Sequence, residues 1–180
     1  MSRSQMSLDA VSEIQEHLLL SGMGGAGWAS LIKHKVTCVV DATNIPSAAK
    51  RYEKSDIDYV KVSVDDSEWA SLSPYFDDVA DKVEQHRLKH GRVLVHCAAG
   101  ISRSTSLCLA YLVKYQKMTL KDAFVLCRQK RPMVCPNNGF WRQLIEYEQR
   151  VTGQKTVNMV KGRWREMPDI WLTSRKQPLN

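Results

Sequence analysis

The chain has 180 residues, of which 43% are hydrophobic and 25% charged, with a formal net charge of +7. This length favours one domain around one main core, and the composition excludes a coiled coil, a collagen or a disordered chain. The positive balance suits anionic partners, but the absence of a long Lys/Arg run argues against nucleic acid.

Residues 1–12 read as a polar, flexible arm, and Ile14–Leu20 as a first strand. A glycine-rich turn, Gly22–Gly27, leads to a short helix over Trp28–His34. Val36–Val40 is β-branched and apolar, the pattern of a buried strand. Asn44–Lys54 reads as a loop, Ile57–Val62 alternates like a strand, and Asp65–Ser73 is polar and turn-like. Pro74 suits a helix start, and Phe76, Val79, Ala80 and Val83 follow at helical spacing. Val93–Val95 is a short apolar strand running into His96. Ser104–Tyr115 is apolar on nearly every side, which predicts a buried helix.

Thr119-Leu-Lys-Asp122 is a capping box with Asp in place of Glu, opening a helix with Leu120, Phe124 and Cys127 on one face. Phe140, Leu144, Tyr147 and Val151 mark a last amphipathic helix. Residues 153–180 read as a tail that packs on the body through Trp164 and Trp171. Strands mixed with helices, then a helix-rich half, give an α/β layout with a central sheet covered by helices.

The chemistry concentrates at His96-Cys97-Ala98-Ala99-Gly100-Ile101-Ser102-Arg103-Ser104. A loop between a strand end and a buried helix turns its backbone N–H groups towards one point, where they and the helix dipole bind an anion. Gly100 supplies the positive φ that such a curve needs. The same field depresses the thiol pKa of Cys97, and the thiolate is a nucleophile. Arg103 offers a planar fork that grips two phosphoryl oxygens at once. The Ser104 hydroxyl is placed to donate to the sulfur, and His96 to orient the loop by hydrogen bonding rather than act as the base.

This stretch, with Leu109-Ala110-Tyr111-Leu112 after it, resembles the dual-specificity branch of the protein tyrosine phosphatases, and the small atypical group within it. Pro132, Pro136 and Asn137-Asn-Gly139-Phe140-Trp-Arg-Gln143-Leu144 resemble a later block of that group. The resemblance implies a mostly parallel twisted sheet flanked by helices, a single catalytic domain over 13–152, no metal and no cofactor. It implies phosphate binding by Ala98, Ala99, Gly100, Ile101, Ser102 and Arg103, and catalysis by Cys97, Arg103, Ser104, His96 and an upstream acid. Asp65 and Asp66 are adjacent, so in an extended segment only one faces Cys97; counted from Tyr59–Val62 and Tyr75-Phe76, the family pattern falls on Asp66. Family members usually carry Asn where this chain has Asp41.

Two-step hydrolysis of phosphotyrosine, phosphoserine and phosphothreonine through a phosphocysteine follows from the resemblance. The loop side chains carry no charge, which favours phosphoproteins over inositol lipids or RNA ends; members of MAP kinase pathways are among the substrates the family suggests. Arg142, Arg131 and Lys130 fit either a positive rim or a solvated face. The rival readings are a phospho-binding module without turnover and a scaffold whose tail binds a partner. Gly22-Met-Gly24-Gly-Ala-Gly27 also satisfies a dinucleotide-binding pattern, with Asp41 at a ribose-binding distance. The following helix is too short for that fold, and too little chain remains for a second half.

The five cysteines, Cys38, Cys97, Cys108, Cys127 and Cys135, form no CxxC pair and lack zinc-finger spacing. They fit a reducing compartment; a cytoplasmic location, extending to the nucleus, is expected. Leu18–Leu20 is the longest apolar run near the start, too short for a signal peptide or a membrane span.

Overall fold

The computed structural model of the chain describes residues 7–46, 50, 52–53 and 55–173. The rest of the expected arm (1–6), parts of the expected loop (47–49, 51 and 54) and the end of the tail with Pro178 (174–180) lie outside the described residues. A central sheet is built from β1 (Ser12–Gln15), β2 (Leu18–Ser21), β3 (Cys38–Asp41), β4 (Asp58–Lys61) and β5 (Val93–His96) in the order β1-β2-β5-β3-β4. All neighbours are parallel except β1 and β2.

The central strands β2, β5 and β3 are buried along their whole length. Helices on both faces of a parallel sheet require such continuous apolar runs. Side chains alternate between the faces. Leu18, Leu20, Cys38, Val40, Val93 and Val95 join one core cluster, while Leu19, Val39 and Leu94 join the other. The larger cluster is closed by α2 (Phe76–Leu88), α3 (Arg103–Lys114), α4 (Leu120–Lys130) and α5 (Asn138–Thr152). The smaller is closed by Leu31 of α1 (Trp28–Lys33) and by Tyr52, which stacks on Tyr59.

The expected single strand over Ile14–Leu20 is a hairpin instead, with its turn at Glu16 and His17. Ile14, Leu18 and Leu20 all enter one core cluster, so a straight strand would drive Glu16 into it as well; the turn leaves Glu16 exposed. The Pro74 helix begins as a 3-10 turn over Ser73–Tyr75 before α2. The Thr119 cap is as expected: its Oγ accepts the Asp122 N–H at 3.0 Å and donates to the Asp122 carboxylate at 2.7 Å.

After α5 comes an antiparallel pair, β6 (Met159–Lys161) and β7 (Glu166–Pro168), then α6 (Ile170–Thr173). Val157 and Ile170 are buried in the larger core cluster. Trp171 meets Phe124 edge-on at 5.2 Å and lies under the Arg128 guanidinium. Trp164 does not pack on the body as expected: it sits in the β6–β7 turn and is 87% exposed. The buried Glu148 accepts the Leu120 and Thr156 N–H groups and so ties α4, α5 and the tail together. Among the described residues no helix is long and apolar enough to cross a membrane.

Candidate active site

Cys97 follows directly on the last residue of β5, and α3 begins at Arg103, so residues 97–102 span the gap between the central strand and a buried helix. Four consecutive carbonyls of the loop, those of residues 98–101, are drawn outwards. Ala98 O accepts from Met23 N at 3.0 Å, and Ile101 O from Cys135 N at 2.9 Å. Ala99 O and Gly100 O accept from the Arg131 guanidinium at 3.1 and 2.8 Å. Each peptide unit that turns its carbonyl out turns its N–H in, which is what an anion cradle requires. Gly100 has φ +68°, and a Cβ there would collide with the Ser21 backbone, so both the curve and the close approach demand glycine.

Cys97 is 1% exposed, and its sulfur accepts from Gly100 N and from Ser104 Oγ, each at 3.2 Å. Burial pushes its thiol up, but the Ser104 hydroxyl and the N–H groups of Ser104, Ile101 and Gly100 outweigh burial and hold it below the usual thiol range. Where no such donors exist, burial wins: the Cys38 and Cys127 thiols are pushed up to about 12. Only a thiol held low is a nucleophile near neutral pH.

Arg103 is 9% exposed and donates from one terminal nitrogen to Val64 O at 3.1 Å. Its buried Nε has no hydrogen-bond partner among the described residues and lies 3.8 Å from Asp66 Oδ2. A buried donor without a partner calls for an explanation, and an oxyanion in the cradle supplies one.

Asp66 and Asp65 point different ways. Asp66 Oδ1 accepts from Ser102 Oγ at 2.7 Å and from Asn137 Nδ2 at 2.9 Å, which places it at the mouth of the loop. Asp65 accepts from Asn44 instead. The segment carrying them is fastened to α5. Leu72 N and Ser73 N donate to Gln143 Oε1 at 2.7 and 2.8 Å, and Gln143 Nε2 donates to Ala70 O. Gly139 lets this segment lie against α5, because a Cβ there would strike Glu68's backbone.

His96 lies under the loop with Nε2 3.8 Å from Asp41 Oδ1. Asp41 is fully buried and accepts from Thr43 N at 2.8 Å, Tyr59 OH at 2.7 Å and Lys61 Nζ at 3.0 Å. Burial raises its carboxyl pKa, but the hydrogen bonds from Thr43 and Tyr59 and the nearby His96 imidazole overcome it and leave the group below the usual carboxylate range. Asp41 therefore has a full set of partners, Lys61 among them.

Two expectations change here. Arg131 is no part of a rim: it is fully buried, and besides the loop carbonyls it donates to Leu8 O, Ala10 O and Ser12 Oγ. A single positive side chain thus shapes the cradle from behind and fixes the N-terminal segment to it. Lys130 is exposed, and Arg142 is engaged by Glu166 at 2.7 Å. The glycine-rich stretch also has a structural job. Gly22 packs against Ala98 and Ala99 of the reactive loop and Gly24 against Asp9, so the space that a pyrophosphate would need is filled.

A cysteine whose thiol is held low, an arginine and a set of backbone N–H groups on a strand–loop–helix turn define a phosphate site of the cysteine-nucleophile class. The chain belongs to the dual specificity phosphatase catalytic-domain family, whose model matches residues 19–150. It is 41% identical over 167 residues to dual specificity protein phosphatase 18 of Rattus norvegicus, covering 93% of this chain and 81% of that one. It is 39% identical over 170 residues to dual specificity protein phosphatase 14 of Homo sapiens, covering 93% and 84%. Among solved structures it resembles human DUSP28 (TM-score 0.72, 27% identity, 78% of this chain and 93% of that one). The human tyrosine phosphatase-like serine/threonine/tyrosine-interacting protein is similar to the same degree (TM-score 0.72, 27% identity, 78% and 96%).

Proposed function

We propose that the chain is a dual-specificity protein phosphatase in which Cys97 is the nucleophile and Asp66 the general acid. The observation that carries this is the depressed Cys97 thiol inside a ring of N–H donors, with the spare Nε of Arg103 and the carboxylate of Asp66 on its rim. The Cys97 thiolate attacks phosphorus; the S–P bond forms and the P–O bond to the substrate breaks. Protonated Asp66 delivers its proton to the departing oxygen. Water then attacks the phosphocysteine, Asp66 takes a proton from it, and inorganic phosphate leaves. The sulfur departs as a thiolate, which the Ser104 hydroxyl stabilises. Arg103 and the loop amides bear the charge on the equatorial oxygens throughout. His96 holds the loop's base in place.

The uncharged lining of the loop supports phosphoproteins as substrates, MAP kinase pathway members among them, and the free cysteines support action in the cytoplasm and nucleus. We read residues 13–152 as the catalytic domain and 153–180 as a tail, of which Val157, Ile170 and Trp171 pack on it.

The test is hydrolysis of para-nitrophenyl phosphate by reduced, folded protein, with Cys97→Ser as control. Turnover by the wild type and none by the variant is expected; an inactive wild type would make this a phospho-binding module. Asp66→Asn should cost about 10²–10⁴-fold on substrates with poor leaving groups, and Asp65→Asn little. The reverse order would move the acid to Asp65.

A further inference from the structure

At the end of the sheet remote from Cys97, Cys38 of β3 and Asp58 of β4 are register partners across parallel strands. His86, in the last turn of α2, covers them. The Cys38 sulfur, an Asp58 carboxylate oxygen and a ring nitrogen of His86 lie within 4.8 Å of one another.

The His86 ring is held through both of its nitrogens, by Thr37 and by Asp58. Thr37 Oγ1 donates to Arg92 O at 3.2 Å and accepts from Arg92 N at 3.0 Å. It also lies 3.0 Å from His86 Nδ1. The other ring nitrogen, Nε2, faces Asp58 Oδ2 at 3.2 Å. A proton or a metal ion can bridge two such atoms. An imidazole whose second nitrogen is tied down in this way is the usual state of a metal-ligating histidine.

We propose that Cys38 Sγ, Asp58 Oδ2 and His86 Nε2 form a binding site for a zinc-class dication. Tetrahedral zinc with bonds of about 2.0–2.3 Å holds its donors roughly 3.3–3.7 Å apart. The 3.2 Å between Nε2 and Oδ2 is already close to that spacing. Thiolate and imidazole select zinc over magnesium or calcium. Asp58 and His86 also line a surface cavity of about 570 Å³, together with Ser55, Asp56 and Lys89. Lys82 Nζ, 3.0 Å from the same Asp58 oxygen, is the competing cation; it is partly exposed and swings into solvent when the ion binds. The buried Cys38 thiol gives up its proton to bind the metal. The bound ion joins β3, β4 and α2 and takes no part in the phosphatase chemistry at the other end of the sheet.

The experiment uses the full chain with Cys97→Ser and Cys135→Ser, so that neither the reactive nor the exposed thiol competes. Titration with Co²⁺ should produce a near-ultraviolet thiolate-to-cobalt band that saturates at equimolar metal and is displaced by Zn²⁺. Zn²⁺ should also raise Tm in a concentration-dependent way. Adding Cys38→Ala should abolish the band. Adding His86→Gln, at a partly exposed position, should weaken binding by more than the about 10–100-fold that loss of an outer-sphere partner costs. If Cys38→Ala fails to fold, His86→Gln carries the test alone. A titration without the band, a band that survives Cys38→Ala, or an equal rise in Tm with His86→Gln would overturn the site. The last result would mean that a proton and Lys82 alone hold the His86–Asp58 pair.

Discussion

Asn137 Nδ2 donates to Asp66 Oδ1 over 2.9 Å, while Asn137 Oδ1 accepts the Phe140 N–H at 3.0 Å. The residue that caps α5 is thus also the residue that aims the proposed acid. The side chain of Asp66 is 37% exposed, so without this grip the carboxylate has open water to rotate into. Asn137→Ala should lower kcat about 10-fold or more on poor leaving groups, in keeping with loss of a hydrogen bond to a charged group. It should also cost about 1 kcal/mol of stability through the lost cap. Comparing phenyl phosphate with an activated aryl phosphate separates the two effects. An equal loss on both substrates would mean that Asn137 does not act through the acid.

Ser104→Ala removes one of the donors that hold the Cys97 thiol low. The sign follows directly: with less stabilisation of the thiolate, its pKa rises towards the ordinary value. The acidic limb of kcat/KM should move to higher pH, and phosphocysteine should accumulate because its sulfur leaves less readily. A pH–rate profile and a pre-steady-state burst measure the two. An unmoved limb would show that the backbone amides alone set the thiol.

Arg131→Met should unfold more easily than any change on the protein's surface. It strips a donor from the carbonyls of Leu8, Ala10, Ala99 and Gly100 at once, and of these Leu8 O keeps the Gly22 N–H. The other three acceptors, left without their donor, cost about 1 kcal/mol or more each, so the loss should be at least about 3 kcal/mol. For a chain of this size that is a fall in Tm of about 6–12 °C. Thermal melts give the number; a Tm within about 2 °C of wild type would mean that water replaces the guanidinium without penalty.

Asp77 carries an acid-sensitive part of the fold. Burial pushes its carboxyl up, but Lys114, Arg150 and Tyr147 more than compensate and bring it down to about 2. A carboxyl whose folded pKa lies below its unfolded value of about 3.9 contributes stability above that value. The contribution is lost as pH falls through the folded pKa. The gap in Tm between wild type and Asp77→Asn should be constant above about pH 5 and should close between about pH 4 and pH 2. A gap that does not vary with pH would assign the effect to packing.

Cys97, Gly100 and Arg103 were legible in the sequence because strand, loop and helix are consecutive, and the seven residues from Cys97 to Arg103 carry the whole cradle. For the proposed acid the sequence offers an adjacent pair, Asp65 and Asp66; side-chain alternation lets only one of them face Cys97, and the family pattern points to Asp66. The hairpin at Glu16 was not legible as such, since Leu18–Leu20 reads as apolar continuation unless one asks which core each residue must enter. Arg131 read as a surface charge. Its partners lie 31 to 123 residues away, so no local pattern announces it. The cluster at Cys38, Asp58 and His86 is likewise assembled by strand register and one helix turn, and motif spacing says nothing about it.

The five hydrogen bonds of Arg131 also bear on when the enzyme comes into being. They join the first described residues to the reactive loop through a side chain near the start of the last third of the chain. Contacts of such long sequence separation form late, after the loops they close have been ordered. A nascent chain that has made Cys97 and Arg103 but not Arg131 and α5 holds the nucleophile without its cradle and the acid without its support. Catalytic competence is therefore expected only once Arg131 and α5 have been made, and a product truncated before Arg131 should be inactive even if its sheet has formed.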